Sequence, residues 1–407
     1  MEFQKIKLHR SEKNRAAVTQ ITLDDDYNVP DYRQDIVKVI KERGELRFDE
    51  VKAMEGAAWI KGSLVFKVLY RSDKQEGKIS CLRGEIPFQE RLNMDGLSEY
   101  DAVHATGDME DLTIGVINSR KLNVRAVIVL TASSEKEVDE ELTCELSDGS
   151  SYEQNIVEKE ALKLLVVRRD ICRQKSEAVL PSSKPNIREI LWQSMQLRNV
   201  ESRLVEGKIR LSGEILVSIL YNDEEEGEHL SWYETTVPLD AQAECGVMED
   251  DCIWQVQMVP LTMELEVKPD YDGEERILVM ELALDTHIRI WKEEKIRLLT
   301  DLYSLQKEVK PVFRECPLEH LLVKNAAKCR MTEQMELKED KEKVLQICSC
   351  EGKVLLERQE IKPDGVLAEG TVEVNILYIT PDDHMPVGAV QEIYPFSQLV
   401  ELSLIHI

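Results

Sequence analysis

Apolar and polar side chains alternate along most of the chain, most clearly in three stretches that resemble one another. The stretches are KGSLVFKVLY at 61–70, SGEILVSILY at 212–221 and EGTVEVNILY at 369–378. In the first, every second residue from Leu64 to Tyr70 is apolar. A period of two is typical of a β-strand that packs one face on a core. Because a polar turn and a second apolar run follow each stretch, the pattern predicts three hairpins.

Three residue types recur at fixed spacing in these hairpins: a glycine, a tyrosine eight residues later, and a proline seventeen residues after that. Such spacing is typical of a repeat architecture. We interpret the residues as structural positions, with the glycine permitting a turn before the strand and the proline lying at a strand end or sheet edge. The alternative for the glycine is close approach of another backbone segment. The nine positions are Gly62, Tyr70, Pro87, Gly213, Tyr221, Pro238, Gly370, Tyr378 and Pro395.

The similarity extends beyond the hairpins. Upstream, LLVVRRDICRQKSEAVL at 164–180 aligns with LLVKNAAKCRMTEQMEL at 321–337; downstream, RKLNVRAVIVL at 120–130 resembles RILVMELALDT at 276–286. These matches predict three units of one kind. Their boundaries are 1–150, 151–304 and 305–407.

The predicted fold is mainly β: three tandem repeats of a sandwich-like antiparallel unit, with few short helices. One helix candidate is NIVEKEALKLLVVRRD at 155–170, which also shows alternation. Leu69, Leu220 and Leu377 precede the tyrosines and predict cover on the opposite face at that end of the strand. Few residues follow Pro395, so we expect the third unit to be incomplete and the chain to be a fragment.

Composition narrows the function classes. The formal net charge of −26 over 407 residues argues against binding to nucleic acid or an anionic membrane surface. The N-terminal sequence has no signal-peptide core, and no apolar run has the length of a membrane span. Nine cysteines without a C-x-x-C pair indicate reduced thiols. A cytosolic protein is therefore expected.

No catalytic, cofactor-binding or metal-ligating constellation is evident, and we predict none. His287 alternates with apolar neighbours and is interpreted as a strand residue. Acidic loops at 23–31 and 269–275 lack the calcium-loop pattern, and 222–228 is expected at a hairpin tip. A glycosidase with two separated carboxylates remains open. The tryptophans, which we assign to core packing, do not occupy equivalent repeat positions; they are Trp59, Trp192, Trp232, Trp254 and Trp291.

The repeated motifs KVLYRSD…EIPF, SILYNDE…TVPL and NILYITP…YPF, with KPNIREIL before the second, resemble the SPOCS domain of sporulation proteins, as in spore-coat proteins of the SipL type. The resemblance implies a mother-cell cytosolic protein at the forespore surface that binds the coat-basement ATPase SpoIVA. It also implies a C-terminal LysM domain as the module that engages SpoIVA. No LysM-like stretch occurs before Ile407.

Three functions are compatible with these features. The favoured one is a non-enzymatic scaffold of the spore coat, because repeated β-units offer extended binding surface. The alternative is a cell-envelope carbohydrate-binding module or glycan-acting enzyme with a site in one repeat. A general adaptor unrelated to sporulation is the third.

Overall fold

The computed structural model describes residues 2–72, 77–147, 152–224, 229–247, 249, 251–337 and 343–401, and within these it omits the side chains of 12–15. The regular structure of these parts is fifteen β-strands without a helix. The strands are β1 (Phe3–Asn28), β2 (Lys38–Met54), β3 (Ala57–Arg71), β4 (Ile79–Asn93), β5 (Val103–Asn118), β6 (Lys121–Leu146), β7 (Glu153–Val179), β8 (Ile187–Val205), β9 (Lys208–Asp223), β10 (Leu230–Glu244), β11 (Cys252–Pro269), β12 (Glu275–Tyr303), β13 (Gln346–Lys362), β14 (Gly365–Ile379) and β15 (Val387–Glu401).

The strands form five three-stranded sheets, and every pairing is antiparallel. Unit 1 contains the sheets β1-β6-β5 and β2-β3-β4, and unit 2 contains the corresponding sheets β7-β12-β11 and β8-β9-β10. The third unit has one sheet, β13-β14-β15. The expectation of a mainly β chain built from three repeats is therefore confirmed.

In units 1 and 2 the two sheets pack face to face as a sandwich, and the alternation of the sequence explains why. Phe66 and Tyr70 on β3 point inward and are fully buried against Ile128 and Leu130 on β6. The corresponding strand β9 buries its alternate residues in the same way, from Ile215 to Tyr221. Each such side chain contributes roughly 1.5–3 kcal/mol on burial, so the apolar face fixes which side of the strand is inside.

The last strands of units 1 and 2 are much longer than a sandwich requires. β6 packs its first half in the sandwich and then runs on to Leu146, paired with the N-terminal half of β1. β12 and β7 form the same extended ribbon in unit 2. The two ribbons meet in a small apolar cluster that includes Leu8, Leu142, Ala161 and Ile296. The extensions therefore join units 1 and 2.

Two details differ from the sequence-based expectation. The expected short helices are not found in the described ranges, and the helix candidate at 155–170 lies in β7, where β12 supplies its hydrogen-bonding partner. The stretch 321–337, which aligns with 164–180, has no regular structure. In units 1 and 2 the equivalent segments lie in β1 and β7, which pair with β6 and β12, whereas in the described part of the third unit this stretch pairs with no strand.

Among the described residues, no second sheet covers the inner face of the third unit's sheet. Val354 and Leu356 on β13 are 65% and 49% exposed, although their sequence counterparts Leu46 and Phe48 pack on the core of unit 1. On β14, Val374 is only partly buried, whereas Val217 at the same position of β9 is 1% exposed. The inner face of this sheet is thus partly open.

Candidate functional site

The three repeat tyrosines are fully buried at equivalent places near the ends of β3, β9 and β14. The Tyr70 hydroxyl donates a hydrogen bond to the carbonyl of Gln34 at 3.1 Å, and the Tyr221 hydroxyl donates to that of Pro185 at 3.1 Å. Both acceptors lie thirty-six residues upstream. Burial raises the pKa of Tyr221 to about 12. Each tyrosine of units 1 and 2 thus ties the strand to the segment that enters its sheet.

The repeat glycines do not form turns, which corrects the expectation that we favoured. Gly62, Gly213 and Gly370 lie within β3, β9 and β14, and none has a positive φ. Each faces a bulge in the neighbouring strand, where the pairing register shifts. A Cβ on Gly62 would lie 2.4 Å from the Arg47 carbonyl oxygen, and one on Gly370 would lie 2.1 Å from that of Leu355. Close backbone approach is therefore the reason for glycine.

The repeat prolines lie at sheet edges. Pro87, Pro238 and Pro395 are in β4, β10 and β15, each an outer strand of its three-stranded sheet. Each pairs with the residue next to the repeat glycine on the central strand. An edge strand tolerates proline because the missing N–H can be the one that faces away from the sheet.

The sheets β2-β3-β4, β8-β9-β10 and β13-β14-β15 each contain a repeat hairpin. Their outer faces meet in one apolar cluster, here called the central junction. It contains Leu69, Leu220 and Leu377, which precede the repeat tyrosines and are at most 1% exposed. Its other members also occupy repeat-equivalent positions. These are Ile40, Leu191 and Cys348; Ile79, Leu230 and Val387; and Cys81, Trp232 and Ala389, with Trp192 and Ile379 packed beside them.

The central junction is therefore built by the same positions of all three units. The sequence signal for the central junction is the single apolar residue on the outward face of each hairpin strand. The sequence predicted that both faces of the strand would be covered near its tyrosine, and the structure has this cover. Polar contacts surround it. Arg33 of unit 1 forms an ion pair with Glu189 of unit 2 at 2.9 Å, and the Gln196 side chain donates to the Cys350 carbonyl at 3.0 Å.

A second contact between units 1 and 2 is charged and contains two histidines. The rings of His104 and His287 lie 5.6 Å apart, and Arg169 lies 3.2 Å from Nδ1 of His104. Burial lowers the pKa of both imidazoles; Arg169 adds to this at His104 and Arg289 at His287. Glu135 of β6 forms an ion pair with Arg289. His287 is thus a strand residue, but it lies at an interface rather than at a free surface.

Two clefts open beside the central junction. The first, about 670 Å³, is lined by residues of all three units, mostly of units 1 and 3. Lys41 at its wall is 7% exposed, and its Nζ is 3.9 Å from Glu351 and 5.5 Å from the Trp192 ring centre. The second, about 470 Å³, lies between units 1 and 2 and is lined by Lys67, Arg83 and Met195 among others. Sequence reasoning missed both because they form only where units meet.

The other sequence candidates are dispersed. Among the residues that the structure describes, no group of three His, Cys, Asp or Glu side chains is arranged to hold a metal ion. The acidic stretches 23–31 and 269–275 lie in different units, and 225–228 of the third stretch lie outside the described residues. All nine cysteines are free thiols. In the described parts of the chain, no helix has the length and apolarity of a membrane span.

The tryptophans have different environments. Trp192 is buried at the central junction, and Trp254 packs against the core of unit 2, with its indole N–H donating to Ser202 at 3.3 Å. Trp232 packs on the junction beneath Lys184. Trp59 and Trp291 are partly buried. These five side chains do not form one platform.

Comparison with protein families identifies the repeat. The family described as "SipL, SPOCS domain" matches residues 35–117, 186–268 and 343–404, once in each unit and over more than half of the chain. The chain therefore belongs to the SPOCS-domain family of the SipL type, as the motifs indicated. This family indicates a sporulation-related protein and is not a known enzyme family. No curated protein and no solved structure gives a significant match.

Proposed function

We propose that the protein is a non-enzymatic assembly scaffold of the bacterial spore coat. It acts in the cytosol of the mother cell, at the forespore surface, and binds coat morphogenetic proteins, with the ATPase SpoIVA as the first candidate. Membership of the SPOCS-domain family supports a role in sporulation. The central junction is the observation that carries the scaffold role, because one shared core holds three β-units in fixed relative positions.

We further propose that residues 1–150, 151–304 and 305–407 are three SPOCS-type domains, and that the nine glycine, tyrosine and proline positions are their structural signature. Two features of the fold support the division. β6 ends at Leu146 before β7 begins at Glu153, and β12 ends at Tyr303. The tyrosine hydrogen bonds and the tight glycine contacts recur at equivalent positions.

Recruitment in sporulating cells tests the function. A fluorescent fusion of the chain should form a shell around the forespore, and the shell should disperse in cells without SpoIVA. Purified chain should co-sediment with SpoIVA polymers but not with peptidoglycan. Diffuse mother-cell fluorescence, or sedimentation with peptidoglycan alone, contradicts the scaffold and favours the carbohydrate-binding alternative.

A matched pair of variants tests the role of the fixed arrangement. Leu220→Ala removes a buried side chain from the central junction, and Leu305→Ala removes one that is 85% exposed. Leucine-to-alanine changes in a core cost roughly 2–5 kcal/mol, so the first variant should loosen the units while each sandwich keeps its own core. We expect Leu220→Ala to weaken recruitment and Leu305→Ala to leave it unchanged. If hydrogen exchange shows that Leu220→Ala weakens the central junction and the two variants are still recruited equally, the fixed arrangement of the units is not needed for recruitment.

A further inference from the structure

Three cationic side chains lie in a row across the outer face of the β2-β3-β4 sheet. Arg43 of β2 pairs directly with Lys67 of β3, and Lys67 pairs directly with Arg83 of β4. Directly opposed residues of an antiparallel sheet have Cβ atoms roughly 4.5–5.5 Å apart and project to the same face. Like charges in that relationship are destabilising. The row is therefore a local cost to the fold.

The charge of the row is only partly neutralised. Arg43 contacts Glu45 at 3.0 Å and Glu351 at 3.6 Å. For Lys67 and Arg83, no carboxylate oxygen of the described residues lies within 4.0 Å. Burial lowers the pKa of Lys67, with Glu45 acting against it and Arg83 and Arg43 adding to it. Lys67 and Arg83 thus have no ion-pair partner among the described residues, although the chain carries a net charge of −26.

The repeat itself does not require these cations. At the equivalent positions unit 2 has Ser194, Ser218 and Glu234, and unit 3 has Glu351, Asn375 and Gln391. Both sheets form the same three strands without the row. The row is thus particular to unit 1, and its cost is not explained by the architecture.

The row forms one wall of the cleft between units 1 and 2, here called the cationic cleft. The opposite wall comes from β8 and β11 of unit 2. It presents the apolar side chains of Met195, Leu261 and Met263 next to the polar ones of Gln193, Thr262 and Glu264. Leu261 is 50% exposed although it lies beside the cleft. Cations on one side of a cleft of about 470 Å³ and exposed aliphatic side chains on the other suit a ligand that carries both carboxylate and aliphatic groups.

We propose that the cationic cleft binds an acidic, aliphatic segment of a partner protein, with its carboxylates on the Arg43–Lys67–Arg83 row and its aliphatic side chains against Met195 and Leu261. Charge complementarity selects the carboxylates, and the row spans two strand spacings, about 10 Å. Carboxylates at alternate positions of an extended segment are about 7 Å apart, so two of them reach along the row. A single small anion would leave the apolar wall uncovered. The proposal rests on the proposed function only in taking the partner to be a protein.

Fluorescence anisotropy with a labelled peptide of alternating glutamate and leucine tests the proposal on the full chain. The peptide should bind, and raising the salt concentration from about 50 to about 300 mM should weaken binding, because the Debye length shortens. A peptide with glutamine for every glutamate should not bind. Inorganic phosphate, used as a competitor, should displace the acidic peptide only at salt-like concentrations. Binding of phosphate without binding of the peptide would overturn the proposal in favour of a small-anion site.

Two double variants separate the cleft from general charge. Lys67→Gln with Arg83→Gln removes two cations from the row, whereas Lys61→Gln with Arg91→Gln removes two exposed cations from the same strands outside the cleft. We expect the first pair to weaken peptide binding roughly tenfold and the second to change it little. The first should also raise the thermal midpoint by relieving repulsion, so lost binding cannot be ascribed to unfolding.

Two results would overturn the proposal. One is equal loss of binding in both double variants, which would show a general effect of charge. The other is a concentration-dependent dimer, seen by sedimentation, that the Lys67→Gln, Arg83→Gln variant abolishes, because the occupant would then be a second copy of the chain. Recruitment to the forespore is measured separately: a variant that is recruited but binds no peptide refutes the cleft and leaves the scaffold function standing.

Discussion

The hydroxyl of Tyr70 is bonded to the backbone carbonyl of Gln34, and this bond joins the end of the central strand β3 to the chain just before β2. Tyr221 and Pro185 repeat the relationship in unit 2 with the same 3.1 Å distance and the same separation along the chain. Both hydroxyls lie in the apolar interior, where an unmade hydrogen bond is costly. The repeat tyrosine therefore makes the same hydrogen bond in units 1 and 2, in addition to occupying the same sequence position.

Removing this hydroxyl should destabilise each unit by a similar amount. We expect Tyr70→Phe and Tyr221→Phe each to lower the free energy of unfolding by about 1 kcal/mol, because the carbonyl loses its partner while the ring stays in place. Alanine at either position should cost about 3 kcal/mol or more. Urea unfolding measures both. Tyr100→Phe, at a side chain that is 88% exposed, is the control and should be neutral. An effect of Tyr100→Phe as large as that of Tyr70→Phe would contradict this account.

A methyl group on a repeat glycine should disturb the bulge that it faces. Gly370→Ala would place a Cβ 2.1 Å from the Leu355 carbonyl oxygen, so the two strands must separate locally. Overpacking of this kind costs typically 1–3 kcal/mol. Gly352→Ala is the control in the neighbouring strand, because nothing lies within 4 Å of the position that its methyl group would take. Gly370→Ala should therefore unfold at a lower temperature than Gly352→Ala. Equal thermal midpoints would show that the bulge is not constrained.

The repeat glycines and Leu69 show how much of the fold the sequence predicts. The fixed spacing of Gly62, Tyr70 and Pro87 predicted a repeated β-hairpin, and alternation predicted which face is buried. The spacing did not distinguish a turn from a tight contact, because both favour glycine and the bulge lies in another strand. Leu69, in contrast, signalled cover on the second face, although not that three units would supply it.

The sites between units were beyond sequence reasoning for a physical reason. Arg43, Lys67 and Arg83 lie far apart along the chain and become a row only through strand register. His104 on β5 and His287 on β12 meet only because units 1 and 2 pack together. Periodicity reports which face of a strand is buried, but it carries no information on which unit covers it. Contacts of this kind need the assembled chain.

The histidine contact should make the structure sensitive to mild acid. Arg169 can only donate, so Nδ1 of His104 accepts in their hydrogen bond, which requires the neutral imidazole. The pKa of His104 and that of His287 are lowered in the folded protein, while in the unfolded chain both are near 6.5. As the pH falls through about 6.5, the unfolded chain therefore takes up protons first and stability is lost. The loss should level off below the folded pKa values.

Urea unfolding at pH 8 and at mildly acidic pH measures this loss. The variant His104→Gln, His287→Gln should show a flatter dependence across that range, while His320→Gln, at an exposed position, should retain the full dependence. The charged residues that face the two rings, Glu135, Arg169, Asp285 and Arg289, are the same in all three proteins. An unchanged pH dependence in the double variant would place its origin elsewhere.

Stability within the third unit should fall with distance from the central junction. Leu377 and Val387 at one end of its sheet are fully buried in that cluster, whereas Val354 and Leu356 farther along are largely uncovered. Local opening is easiest where few apolar contacts are lost. Hydrogen exchange should therefore show protected amides near Leu377 and faster exchange toward Gly365, with stronger and more even protection along β9 of unit 2. Leu377→Ala should remove the protected end, while Val354→Ala should change little. Protection as even in β14 as in β9 would mean that the partly open face does not govern the unit's stability.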